Sequence, residues 1–297
     1  MKNIFYFNIT YGCNSNCVFC YSHNTKHDGI SHHDLSVETM MSYLKKNNIK
    51  EYDRIIINGG EPLLHPDIIR MIQNLKDFNC EILIYTNGRL LEKLPLNIFN
   101  DNFRIIIPWH GAEKAHDMVT GINGSYHETM RGINHMLNGC AHIELKIIVN
   151  RNMVSKRDIE SSIVALDHIP IKSFHSVHLT KVDDTIISKL NKYPHISHAD
   201  AAMPTLNFFN YCASRVNSIK IFDTCVASMP LPTNELPALK EEYAVIFKDW
   251  DHNWQIPLKE KHPHCLMNCS HKSYCISAVN HYTALEYKSG NWREFWE

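Results

Sequence analysis

Short runs of Ile, Leu, Val and aromatic residues alternate along this chain with longer stretches whose apolar positions recur at helical spacing. The first run, Ile4 to Thr10, predicts a strand. Residues 22–35, polar and rich in His, Ser and Asp, read as a loop. Ser36 then predicts an N-cap for a helix from Val37 to about Lys46, with Glu38 in the first turn, where the helix dipole favours a carboxylate. Asp53 to Asn58, centred on Ile55-Ile56-Ile57, predicts the second strand. Pro66 and Asp67 open a helix to about Phe78 that is apolar at Ile68, Ile69, Ile72 and Leu75. Further strands are expected at Glu81 to Thr86, Phe103 to Pro108, Glu144 to Val149 and Ser173 to Thr180. Helices are expected from Ser125 to about Leu137 and near Lys156 to His168.

Strands with near-continuous apolar centres, separated by amphipathic helices, predict a parallel sheet buried on both faces. Six such units are two fewer than a closed eight-stranded barrel needs. The fold class is therefore α/β, a partial (β/α)6 TIM-like barrel over residues 1–182. A strand that starts at Ile4 predicts that no recognition domain precedes the barrel. After Lys181 the rhythm breaks. A helix is expected from Pro204 to Val216, and a short strand from Ile219 to Asp223, ending at Cys225. The proline-bearing stretch Met229 to Pro237 reads as a loop. Tyr243–Lys248 and Trp254–Pro257 read as a β-hairpin, and the aromatic tail (Tyr282, Tyr287, Trp292, Trp296) is expected to pack against the body. Residues 183–297 thus predict a small C-terminal extension with a hairpin that does not fold alone.

The first chemical signal lies just after the first strand, where Cys13, Cys17 and Cys20 are spaced C-x3-C-x2-C. Thiolates at this spacing close around soft metal ions, and three of them are one short of a closed four-iron site. The shortfall leaves one iron open to an outside ligand, as a catalytic zinc keeps one position free. Two other readings of the spacing stay open: a zinc site with His23 as fourth ligand, and a disulfide.

The triplet follows an N-terminal strand, has Phe19 just ahead of its third cysteine, and is followed by Gly59-Gly60-Glu61-Pro62 at the end of the next apolar strand. In that order these motifs resemble the radical S-adenosylmethionine (SAM) enzymes. The resemblance implies a [4Fe–4S] cluster on Cys13, Cys17 and Cys20, with the amino and carboxylate groups of SAM at its open iron. It assigns Gly59, Gly60 and Glu61, in the turn closed by Pro62, to the methionine ammonium, and Phe19 to the surroundings of the adenine. A carboxylate suits an ammonium because it accepts charge-assisted hydrogen bonds. The implied activity is reductive cleavage of SAM to methionine and a 5′-deoxyadenosyl radical, which takes hydrogen from an unactivated C–H bond.

In barrels of this kind the strand ends and βα loops face one mouth, where Cys13–Cys20, Gly59–Pro62, Asn87 and Trp109-His110 are expected to converge. Asn87 reads either as a hydrogen-bonding partner of the SAM ribose or carboxylate or as a turn residue before Gly88. His110 reads as lining the pocket or acting on the substrate. Lys146, on an apolar strand, meets a carboxylate such as that of SAM if it points inward, and is solvated if it points outward.

A second cysteine group, Cys265-x3-Cys269-x5-Cys275, resembles the C-x2-C-x5-C core of SPASM and twitch auxiliary-cluster domains, although its first gap is three residues rather than two. That resemblance implies one auxiliary [4Fe–4S] cluster with Cys225 as fourth ligand, and a zinc site on the same four cysteines stays open. Cys225 has a rival reading as a hydrogen-atom donor, the role of a thiol in some radical SAM epimerases. Cys80, Cys140 and Cys212 are expected to be buried as small apolar residues.

Auxiliary clusters of this kind go with modification of ribosomally made peptides by cross-linking, epimerisation or oxidation. The leading expectation is a radical SAM enzyme acting on a peptide or protein. A radical SAM oxidoreductase or isomerase acting on a small metabolite comes second. An iron–sulfur electron-transfer or regulatory protein without SAM cleavage comes third, and it needs no methionine-binding turn. The resemblance also implies an electron donor such as flavodoxin or ferredoxin and, for a peptide substrate, a separate leader-binding protein.

Composition trims this picture. Thirty Lys and Arg against 31 Asp and Glu leave no basic excess for nucleic acid. No apolar run approaches the ~18 residues of a membrane span. Ten cysteines with no signal peptide ahead of Ile4, some of them needed as thiolates, predict the reducing cytoplasm. The 20 histidines are scattered, and His32-His33 and His262/His264 read as exposed polar positions.

Overall fold

The computed structural model describes residues 4–20, 34–182, 196, 198–221, 285–288 and 291–294. Nine strands follow one another in chain order through the sheet, β1 (Ile4–Asn8), β2 (Arg54–Asn58), β3 (Glu81–Tyr85), β4 (Phe103–Trp109), β5 (His142–Val149), β6 (Ser176–Lys181), β7 (Ser218–Ile221), β8 (Leu285–Lys288) and β9 (Asn291–Glu294). The first seven form an open parallel sheet, the α/β architecture of a partial TIM-like barrel. Parallel neighbours need crossovers, which the intervening helices supply. Two compact units are distinguished, and each is described by itself. Of the described residues, the first holds 4–20, 34–108 and 117–144, and the second holds the rest.

In the first unit β1 is buried along its whole length. The two-residue period of a strand puts Phe5 and Phe7 on one face. Both meet the ring of Tyr43 edge-on, at 6.5 and 5.8 Å between centroids. Tyr6 takes the other face, where its hydroxyl accepts a hydrogen bond from the Asn58 amide. Tyr43 belongs to α1 (Val37–Lys46), which buries Val37, Met40 and Leu44 and starts where expected, the Ser36 hydroxyl accepting from the Thr39 N–H at 3.2 Å. Helix α2 (Ile68–Leu75) buries Ile68, Met71, Ile72 and Leu75. Ile69, expected on that face, is 39% exposed. Each helical step turns about 100°, so the residue after Ile68 faces away and Met71 takes its place.

At the starts of the strands lies a buried ionic group. Glu81 on β3 stands opposite Arg54 on β2 and bonds its guanidinium. It also accepts from Arg104 Nε on β4 at 2.5 Å, and Glu144 on β5 lies 4.0 Å from the same nitrogen. The side chains of Arg54 and Glu144 are only 5% and 1% exposed.

In the second unit β6 pairs parallel with β7, in the register Val177↔Ile219. The βα rhythm therefore runs one unit past the expected six. Helix α6 (His198–Ala213) begins before Pro204, which the sequence reading placed at its start. Ala201 and Ala202 are buried ahead of the proline, so packing outweighs the missing N–H. Trp109 packs edge-on against Phe208 of α6 at 6.2 Å. β7, β8 and β9 pair antiparallel, with Ile219 opposite Tyr287 and Tyr287 opposite Trp292. This hairpin falls in the aromatic tail, and the hairpin expected at 243–257 lies outside the described residues.

Three further helices complete the described chain: α3 (Glu113–Thr120), which the sequence reading missed, α4 (Ser125–Met136) and α5 (Lys156–Asp167). Cys80 and Cys212 are buried as expected, but Cys140 is exposed. It sits in the surface turn between α4 and β5 rather than at a packed helix end. No helix among the described residues is long and apolar enough to cross a membrane.

Removing the carboxylate at Glu81 leaves Arg54 buried without its partner. Glu81→Ala is expected to cost about 3 kcal/mol of stability in urea unfolding. Glu92→Ala, which breaks the exposed Arg131–Glu92 pair, is expected to cost less than about 1 kcal/mol. Equal losses from the two variants would show that the Glu81 group carries no special weight.

Candidate cluster and cofactor site

The cysteine loop leaves β1 still paired with the strand beside it. The Ile9 N–H donates to the Asn58 carbonyl at 2.9 Å, Gly60 to Thr10 at 2.8 Å, and Glu61 to Gly12 at 2.8 Å. These bonds bring two stretches of main chain so close that side chains are excluded. A Cβ on Gly59 would lie 2.4 Å from the Thr10 carbonyl oxygen, and one on Gly60 2.3 Å from that of Gly12. The close approach that demands both glycines is thus to the root of the cysteine loop.

The other edge of the loop is tied to the end of α3. The Asn16 N–H donates to the Thr120 carbonyl at 2.8 Å and Val18 to Val119 at 2.9 Å. Gly121, at a φ of +67°, leaves room for Asn16, whose oxygen a Cβ would approach to 2.9 Å. Asp117 holds this corner. Its carboxylate accepts from the Gly124 and Tyr126 N–H groups at 2.6 and 2.8 Å and from the Ser125 hydroxyl at 2.8 Å. It thereby caps α4, whose own N-cap, Gly124, has no side chain to do so.

Within the loop, Cys13, Cys17 and Cys20 are half-buried thiols. The Ser15 N–H points at the Cys13 sulfur at 3.4 Å, and the Cys20 N–H donates to the Cys17 carbonyl at 3.1 Å. Burial, and then the neighbouring charges of Cys20 and Cys13, push the Cys17 thiol up to about 12, while Arg89 opposes the rise. The three sulfurs therefore act on one another's charge, and a metal cation among them relieves both burial and repulsion. Among the described residues no three His, Cys, Asp or Glu side chains close around a single metal ion. Half-buried thiols gathered on one loop are a donor set that fits an iron–sulfur cluster.

Glu61 is the most confined ionisable group here, at 1% exposure. Its Oε1 accepts from the Leu63 N–H at 3.0 Å and the Thr86 hydroxyl at 2.6 Å, and its Oε2 from the Asn87 N–H at 2.8 Å. Burial raises its pKa above the ordinary value, against the three donors and the charge of Arg89. Pro62 begins the short 3-10 turn that Glu61 caps. Asn87 takes the turn place before Gly88, and its side chain also reaches the cysteine loop. Its Oδ1 accepts from the Arg89 N–H at 3.1 Å, and its Nδ2 donates to Asn14 at 2.6 Å and Ser15 at 3.3 Å in the cysteine loop.

The structure thus brings Cys13–Cys20, Gly59–Pro62 and Asn87 together in the first unit. Phe19 is half-buried in the same loop. His110 and Lys146 belong to the second unit. His110 is buried, with its ring 5.1 Å from that of His116. Burial, then His116, holds its pKa well below the ordinary value. Lys146 is half-buried between Leu145 and Ile147, which are fully buried. His23, Cys225, Cys265, Cys269 and Cys275 lie outside the described residues. Sequence reasoning missed Asn14, Thr86 and Arg89, whose partners are distant in the chain, and Asp117, whose partners lie across the turn after α3.

Residues 7–141 match the Radical SAM superfamily. That stretch carries both the Cys13–Cys20 and the Gly59–Pro62 motifs. Relatives span a wider range. The chain is 23% identical over 178 residues to a probable GTP 3′,8-cyclase of Saccharolobus islandicus, covering 59% of this chain and 56% of that one. The chain spans 34% and 56% of the length of two curated relatives it matches. Among solved structures, anSMEcpe with bound AdoMet aligns at a TM-score of 0.57 and 17% identity, over 71% of this chain and 60% of that one. SuiB of Streptococcus suis bound to precursor peptide SuiA aligns at 0.53 and 13%, over 71% and 46%. At such identities the structural likeness bears on the fold alone.

The bonding of Glu61 separates a structural from a ligand-only role. An amide at this position must turn an N–H toward either the Leu63 or the Asn87 N–H. Glu61→Gln is expected to destabilise the cofactor-free protein by about 2 kcal/mol, read as a lowered thermal midpoint. An unchanged midpoint without SAM would mean that Glu61 acts on the ligand alone.

Proposed function

We propose that this protein is a radical SAM enzyme that acts on a peptide or protein substrate. The observation that carries the chemistry is the joining of the three-cysteine loop to the Gly59–Pro62 turn by main-chain bonds. Cys13, Cys17 and Cys20 would hold a four-iron cluster with one iron left for the amino acid end of SAM. Glu61 and the turn it caps would offer acceptors to the ammonium. When bound and reduced, the pair supplies a 5′-deoxyadenosyl radical by one-electron cleavage of the sulfonium. The chain's own task is to fix the loop, keep the thiols ionised on metal and exclude competing reactions.

The peptide reading is supported by the likeness of Cys265, Cys269 and Cys275 to auxiliary-cluster cores, and by SuiB, whose structure contains a precursor peptide. Cys225 is proposed as fourth ligand of that second cluster. A second reading, a nucleotide-sized metabolite as substrate, is favoured by the relatives named GTP 3′,8-cyclase.

Anaerobically reconstituted protein is expected to release 5′-deoxyadenosine from SAM on reduction with dithionite, and Cys17→Ala to release none. Wild-type protein that binds iron and sulfide yet yields none would defeat the enzyme reading. Conversion of GTP by the reduced protein would replace the peptide reading with the metabolite one. Iron and sulfide are expected to match two four-iron clusters, with Cys265→Ala losing one while SAM binding survives. Zinc in their place would remove the auxiliary cluster.

A further inference from the structure

One side chain near the cysteine loop has no part in the motifs. Arg89 follows the Thr86-Asn87-Gly88 turn, and its side chain is 10% exposed. Nη1 donates to the Asn14 carbonyl and, at 3.2 Å, to the Ser15 hydroxyl, between Cys13 and Cys17. Nε donates to Glu128 of α4 at 2.5 Å, and that carboxylate is 38% exposed. A full positive charge is thus fixed against the main chain of the cysteine loop, paired with the partly exposed Glu128 carboxylate and felt by buried Glu61. We propose that Arg89 is a positioning residue that holds the cysteine loop and favours the reduced state of the cluster bound there. The inference rests on the cluster reading of Cys13, Cys17 and Cys20.

The physical argument is one of charge. Reduction by a one-electron donor adds one negative charge to the cluster and, with no protein base needed, no compensating proton. A fixed cation bonded to the loop that carries the cluster stabilises the reduced form more than the oxidised form, and burial keeps water from screening it. Glu128 opposes that effect. The two residues should therefore move the potential in opposite directions, which no purely structural role predicts. Arginine suits the place because its fork bonds the loop and Glu128 at once, which a lysine cannot do.

The test is an anaerobic EPR titration of the reconstituted full chain, wild type and variants, with iron and sulfide measured in each. Arg89→Gln is expected to lower the ratio of reduced to oxidised cluster at a fixed ambient potential about tenfold, about 59 mV for one electron. Arg89→Lys is expected to recover part of that shift. Glu128→Gln is expected to shift the potential upward. Loaded variants with wild-type potentials at both positions would overturn the role of Arg89 and leave the cluster reading intact. If Arg89→Gln fails to load, the sign at Glu128→Gln decides: upward supports the role, and unmoved or downward overturns it. A wild type that takes up no iron and sulfide would overturn the cluster reading and this inference with it.

Discussion

The Glu61 carboxylate takes a hydroxyl from the end of β3, an N–H from the residue after it, and an N–H from its own turn, all out of reach of water. An isolated carboxylate in such a place is costly, and donors that satisfy both oxygens are what make it tolerable. Its own N–H meanwhile donates to Gly12. One residue thus couples the loops that follow β1, β2 and β3, so that movement in any of them disturbs bonds in the other two. A site that must hold a cofactor within a fraction of an ångström needs this kind of support behind the groups that touch it.

The cysteine loop shows what that support achieves. It is short, polar and half-exposed, and on its own it would sample many conformations. Main-chain bonds fix its first edge to the glycine turn and its second edge to the end of α3, while Asn87 and Arg89 hold its middle at Asn14 and Ser15. The glycines here serve contact between backbones, since a single methyl at Gly60 would overlap the Gly12 carbonyl. Ordering the loop before any cofactor arrives moves the entropic cost from binding to folding.

Much of this was legible in sequence. The runs at Ile55–Ile57 and Ile105–Ile107 are strands because parallel strands covered on both faces bury every position. The cysteine spacing and the Gly59–Pro62 turn marked the site because their chemistry is local in sequence. What escaped is non-local or weakly patterned. Helix α3 escaped because Glu113, Lys114, His116 and Asp117 leave little apolar stripe, and Met118 is exposed. Pro204 misled because its usual place is a helix start, while buried alanines ahead of it extend the helix. Arg89 and Asp117 belong to no motif, and nothing in the sequence tells that their partners lie 39 residues away or across a turn.

The charges of the site lead one step further. Burial and mutual repulsion push the Cys17 thiol up, and burial does the same to Glu61, so negative charge is costly on both groups. Arg89, half neutralised by Glu128, is too little positive charge to reverse either. What relieves both groups is a positively charged occupant: iron for the sulfurs, and on the proposed reading an ammonium for Glu61. Metal binding to thiols releases protons in any case. Here the same displacement links the cluster to the cofactor, because the loop that carries the thiols and the turn that carries Glu61 are bonded main chain to main chain.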